Sequence, residues 1–362
     1  MRSPKPKSLP LLFAIVTVGL GSTDRATALE LTASLAGPRV LQCEPVLVEV
    51  ALRNDGTDHV LVVPPFIAPY GPSQPLALRV LVEGRDGIWA EPRIRGTETY
   101  WLAGCMRSEV RPFIHRLLPL DPGQAIAVWY SLNMVYALYE PGRYRLRVVY
   151  APSPEMVAVA DESARARAGD LWLGKLEVDL GTVEILAPPD EERAAAEFLL
   201  GRACACAPNP YAEPYAVRDV VAARWPTSVY LPYAEFYAMR TEARSGLHEG
   251  WHKPSGLEAL RAEVAAFREA HSDFPLNHEL DTIVARYAYG VAVRTAYPLD
   301  AHERLPKRSE VLALLQAGRE LLETARRSGD YGLAAEMEAT VGWTEWAYRK
   351  HIEAALAGRD PE

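Results

Sequence analysis

Beyond residue 21 the chain has no apolar run approaching the roughly 20 residues that a helix needs to cross a bilayer. This argues against a bundle of membrane helices. Cysteine is scarce, with four residues in 362. Four cysteines allow three pairings, and sequence alone does not choose among them. An excess of positive charge is also missing. The net charge is −8, which does not favour nucleic acid or an anionic membrane surface as partner. There is no phosphate-cradling glycine loop, no nucleophile elbow and no other positioned triad signature.

What is present begins with an address. Arg2, Lys5 and Lys7 precede an apolar stretch, Leu9 to Gly21, and Ala26-Thr27-Ala28 offers small residues for cleavage before Leu29. The pattern predicts a signal peptide over residues 1–28 and an exported mature chain, periplasmic or extracellular. Loss of Arg2, Lys5, Lys7, Arg25 and Asp24 takes the charge from −8 to −11. At 362 residues and 49% hydrophobic content, two domains with separate cores are the natural expectation.

Residues 29–187 have an apolar period of two. Val46, Val48 and Val50 alternate with Leu47, Glu49 and Ala51 before the turn Asn54-Asp55-Gly56, and His59 to Val63 returns. Leu76 to Val82, Ala125 to Leu132 and Lys175 to Leu186 read as further strands. After Pro141-Gly142, Tyr144, Leu146, Val148 and Tyr150 share one face, with Arg143, Arg145 and Arg147 on the other. Short strands between turns, without a helical crossover, predict an antiparallel β-sandwich. Cys43-Glu44-Pro45 with Val46 to Asn54, and Leu120-Asp121-Pro122-Gly123 with Tyr139 to Leu146, resemble bacterial extracellular immunoglobulin-like domains. Cysteine stands where glycine is usual before Glu44. The resemblance implies a fold and no catalytic residue.

Pro188-Pro189 marks the switch to residues 188–362. Asp190 can cap the next helix, with Glu191 and Glu192 favourable at its N-terminus. Beyond it, Leu257, Leu260, Val264 and Phe267 form one helical stripe. Leu280, Val284, Tyr287 and Val291 form another, followed by Val311, Leu314, Leu315, Leu321 and Leu322, then Leu333, Met337 and Val341. Breakers divide the half into six or seven helices, which predicts stacked helical hairpins. Arg224 to Ala234 and Ala265 to Leu280 resemble phrases of tetratricopeptide-like repeats, about 45 residues apart where that repeat takes about 34.

The sharpest chemical string is His248-Glu249-Gly250-Trp251-His252. On a helix this spacing presents two imidazoles for zinc, with the glutamate as base. Gly246, Gly250 and Pro254 instead predict an inter-helix loop and no metal, and the zinc-hydrolase reading is the alternative. Cys43 and Cys105, alone in the first half, are expected to form a disulfide. Cys204 and Cys206 pair with each other or remain thiols. Tyr230, Tyr233, Phe236 and Tyr237, within a larger aromatic group, either line a groove for a partner or pack between helices, and packing is the preferred reading. No cofactor is implied. Together these features predict an exported, non-catalytic protein that binds a protein or another envelope component.

Overall fold

A computed structural model describes residues 29–63, 77–83, 87–90, 118–132, 138, 140–152, 171–202, 211, 214–249, 253–296, 307–328 and 331–356. The expected signal peptide, Cys105, Cys204, Cys206 and residues 250–252 lie outside them. The chain joins antiparallel sheets in its first part to helices in its second.

Ten strands are described: β1 (Leu29–Leu35), β2 (Arg39–Leu41), β3 (Leu47–Asn54), β4 (Val60–Val62), β5 (Leu78–Glu83), β6 (Trp89–Ala90), β7 (Leu118–Leu120), β8 (Ala125–Ser131), β9 (Gly142–Tyr150) and β10 (Leu176–Leu186). They form a three-stranded sheet in the order β1-β3-β8, a five-stranded sheet β2-β10-β9-β5-β6 and the pair β4-β7. All pairings are antiparallel except β2 against β10. The period of two explains the burial. Val48, Val50 and Leu52 of β3 and Leu146, Val148 and Tyr150 of β9 enter one apolar cluster fed by both larger sheets.

The opposite face of β9 is held by charge. Arg145 pairs with Asp179 at 2.5 Å and Glu83 at 3.4 Å, and the Arg147 guanidinium lies 4.1 Å from the Trp89 ring centroid. Beside it, β10 bulges between Asp179 and Gly181, where Gly181 has φ +78°, a conformation that favours glycine. Turn chemistry ties the strands. The fully buried Asn54 donates to the carbonyls of Asp58 and Leu120 at 2.8 and 2.9 Å and accepts from the Gly56 N–H at 3.0 Å.

The element type changes between Leu186 and Asp190. Seven α-helices are described: α1 (Asp190–Arg202), α2 (Pro214–Arg224), α3 (Leu231–Glu249), α4 (Pro254–Ala270), α5 (Leu280–Ala296), α6 (Arg308–Ser328) and α7 (Tyr331–Leu356). Pro254 occupies the first turn of α4 behind an extended Lys253, so it begins a helix where its missing N–H costs nothing. Their apolar stripes feed two cores. One joins residues of α1 to α5 with Cys43 and Leu47 from the strand half, with Leu41 and Trp129 packed against it. The other lies between α6 and α7, with Ala285 and Tyr289 of α5 against it.

Candidate functional site

Four places can carry chemistry or recognition: the end of α3, the joint between sheets and helices, an acid cluster on the α2–α3–α4 side, and a groove on the helical side.

At the first, α3 continues through Gly246 and ends at Glu249. The loop expected over this string is therefore corrected for His248 and Glu249, which are helical. The reason is that packing along α3, against α2 and α5, outweighs the roughly 1 kcal/mol that an interior glycine costs. His252, the second imidazole, lies outside the described residues. Among the described residues no group of three or more histidine, cysteine or acidic side chains is placed to hold a metal.

At the joint, Cys43 is a free, buried thiol, and the described residues include no disulfide. Its expected partner, Cys105, is outside them. The Cys43 Sγ lies 3.8 Å from the Ala196 carbonyl of α1, and burial pushes the thiol up to about 12. Cys43 also has φ +74°. That left-handed backbone explains why glycine would suit the position. The neighbouring Glu44 accepts the Leu41 N–H at 2.5 Å. Burial raises its carboxyl above the usual range, the Leu41 N–H works against this, and the charge of Glu192 adds to it. Glu192 is itself buried in the first turn of α1. It accepts from the Ser228 hydroxyl at 2.5 Å and the Val229 N–H at 3.1 Å, and so fixes the turn that leads into α3.

The aromatics of α3 and its approach belong to this joint. Tyr230 donates to the Gln42 carbonyl at 2.7 Å and Tyr211 to the Cys43 carbonyl at 3.2 Å. The hydroxyls of Tyr237 and Ser131 lie 3.3 Å apart, and Trp129 lies 5.4 Å from His278 between ring centroids. Tyr230 and Phe236 are fully buried and Tyr237 is nearly so, while Tyr233 is partly buried against Tyr211 and Phe274. Of the two readings given for these four residues, their placement fits the preferred one, since their rings pack between the helices and the strands. Their spacing carried the signal, since Tyr230, Tyr233 and Tyr237 fall on one helical stripe.

A partly buried acid cluster sits on the α2–α3–α4 side. Burial raises the carboxyls of Glu235 and Glu242. Glu263 pairs with Arg218 at 3.6 Å and Glu235 with His271 at 3.7 Å.

A groove of about 680 Å³ lies between α4, α5 and α6. Val264, Ala265, Val284, Ala285 and Ala288 supply its apolar part. Arg261 and Arg268 of α4 face Arg319, Glu320, Glu323 and Arg327 of α6 across it. Arg268 is bound to Asp281 at 2.7 Å, and Arg319 pairs with Glu345 of α7. No residue of the groove was singled out from the sequence. Its small residues look like ordinary helix formers until three helices bring them together.

The chain matches no protein-family model and no curated protein. No helix among the described residues is long and apolar enough to cross a membrane.

Proposed function

We propose that the protein is an exported binding or scaffold protein of the bacterial envelope, without catalysis, that takes a partner segment in the groove between α4, α5 and α6. One observation carries this reading: a concave surface of about 680 Å³ with small apolar residues within it and charged side chains along both walls. That combination suits a short protein segment, whose side chains and main chain need both kinds of contact. In this reading the strand half is an immunoglobulin-like sandwich and the helical half a stack of hairpins. The apolar cluster fed by both larger sheets and the packing of α2 on α3, α4 on α5, α5 on α6 and α6 on α7 support those assignments. The buried joint makes the strand half a fixed base for the helices.

The test is capture from envelope extracts by the immobilised mature chain, compared with Ala288→Trp, whose indole fills the groove. Capture should be lost in the variant while its circular dichroism stays that of the parent. Undiminished capture sinks the groove reading. Stoichiometric zinc in purified protein that disappears in His252→Ala would replace it with the hydrolase.

A further inference from the structure

We infer that the occupant of the groove is an extended acidic peptide segment with two carboxylates three residues apart. The inference rests on the groove reading above and adds the chemistry of the ligand.

The argument starts from which charges on the walls are already matched. Arg268 has Asp281, Arg319 has Glu345, and Glu323 has Arg326. Arg261 and Arg327 are both exposed, and neither forms an ion pair among the described residues; Arg327 donates only to the Thr324 hydroxyl, at 3.2 Å. Glu320, two turns before Arg327 on the α6 wall, accepts from the Gln316 amide at 2.8 Å and meets no cation among the described residues. The groove therefore offers two guanidinium groups, one per wall, and one carboxylate acceptor.

Their placement follows from the helices. Arg268 meets Asp281 at the start of α5, and Thr282 of the same turn meets Ser328 at the end of α6, with hydroxyls 2.8 Å apart. Arg327 thus belongs to the Arg268 end of the groove, and Arg261 lies two helical turns away, about 10.5 Å at 1.5 Å per residue. An extended chain rises about 3.3 Å per residue, so positions i and i+3 span that distance. Because side chains alternate, i and i+3 point to opposite sides, toward opposite walls. A main-chain N–H at the Arg261 end can donate to Glu320, which lies two turns from Arg327, and small side chains fit over Ala265, Ala285 and Ala288. An acidic polysaccharide fits less well. It lacks the amide donor, and no aromatic ring among the described residues lines the groove for a sugar to stack on. The net charge of −8 does not oppose this, since the field of distant charges is screened over about 8 Å at physiological salt.

The probe is a fluorescein-labelled peptide, Ala-Glu-Ala-Ala-Glu-Ala with blocked ends, compared by anisotropy with its Gln-for-Glu counterpart on the full mature chain. The acidic peptide should bind about tenfold more tightly at physiological salt, which is the scale that two exposed ion pairs can contribute. Arg261→Gln and Arg327→Gln should each lose part of that preference, and the double variant all of it. Arg224→Gln, which removes the same charge from an exposed position at the end of α2 and away from the groove, should keep it. Equal binding of the two peptides, or an equal loss in Arg224→Gln, overturns the inference. If neither peptide binds while Ala288→Trp still abolishes envelope capture, the acidic ligand is wrong and the groove reading stands. If capture also survives Ala288→Trp, both fall.

Discussion

At the scale of single residues, the joint concentrates groups whose ionisation is disfavoured. Glu44 is partly buried, close to the charge of Glu192, and has a folded-state pKa above its ordinary value. Its ionised form therefore costs stability at neutral pH. Stability linked to this group is fully present below the unfolded pKa and is lost as pH rises through the higher folded one. Glu44→Gln keeps a carbonyl oxygen for the Leu41 N–H and removes the charge. The variant should melt at a higher temperature than the parent near pH 7, with the gain shrinking on acidification and vanishing near pH 4. A gain independent of pH means that the charge is not the cause. Asp179 runs the other way. Although partial desolvation pushes it up, the Gly181 N–H and Arg145 hold its carboxyl below the usual range. Its contribution is present at neutral pH and fades as pH falls. What the sequence made legible at this scale depended on distance along the chain. The alternation of Leu146, Val148 and Tyr150 with arginines is a local pattern, and it survives intact in β9. The fate of Cys43 was not legible, because the group that covers it, Ala196, comes 153 residues later.

At the scale of elements, helix glycines show when packing overrides propensity. Gly318 of α6 sits where a methyl group would come within 2.9 Å of Val341 Cγ2, with Tyr289 and Met337 close by. Gly342 of α7 has open space at the same position. Alanine is intrinsically better than glycine inside a helix by about 1 kcal/mol. Gly342→Ala should therefore stabilise the protein by up to about 1 kcal/mol in urea unfolding, and Gly318→Ala should gain nothing or lose stability. Equal gains would mean that α6 and α7 do not approach as described. The same competition explains the reading of α3. Gly246 suggested an end to the helix, yet α3, which packs against α2 and α5, continues to Glu249. Pro254 did mark a boundary, since a missing N–H and a fixed φ are local facts that packing cannot undo. The helical stripes were legible for a similar reason: Leu260, Val264 and Phe267 recur with the period of a helix and are buried together. The groove they border was not, because its walls come from three separate stretches of chain.

For the whole molecule, the consequential feature is the core that crosses from strands to helices. The strand half has its own cluster, but Cys43, Leu47 and Trp129 look outward from it into the helices. Residues 29–187 alone should give a β-type circular dichroism spectrum and bind the dye ANS through the uncovered patch. Residues 188–362 alone should be less stable than in the full chain, and the two fragments should associate when mixed. Fragments that ignore one another, with no dye binding, would show that the joint is incidental.

The fifth helix has two allegiances. Ile283 and Tyr287 belong to the core shared with the strands, while Ala285 and Tyr289 pack against the core of α6 and α7. The groove runs along this same helix, between partners gripped from either side. Widening it means slackening one core or the other, so the binding surface behaves as a preset mould and not as jaws. A peptide should therefore associate in one kinetic phase whose rate rises linearly with concentration, without the plateau of a conformational gate.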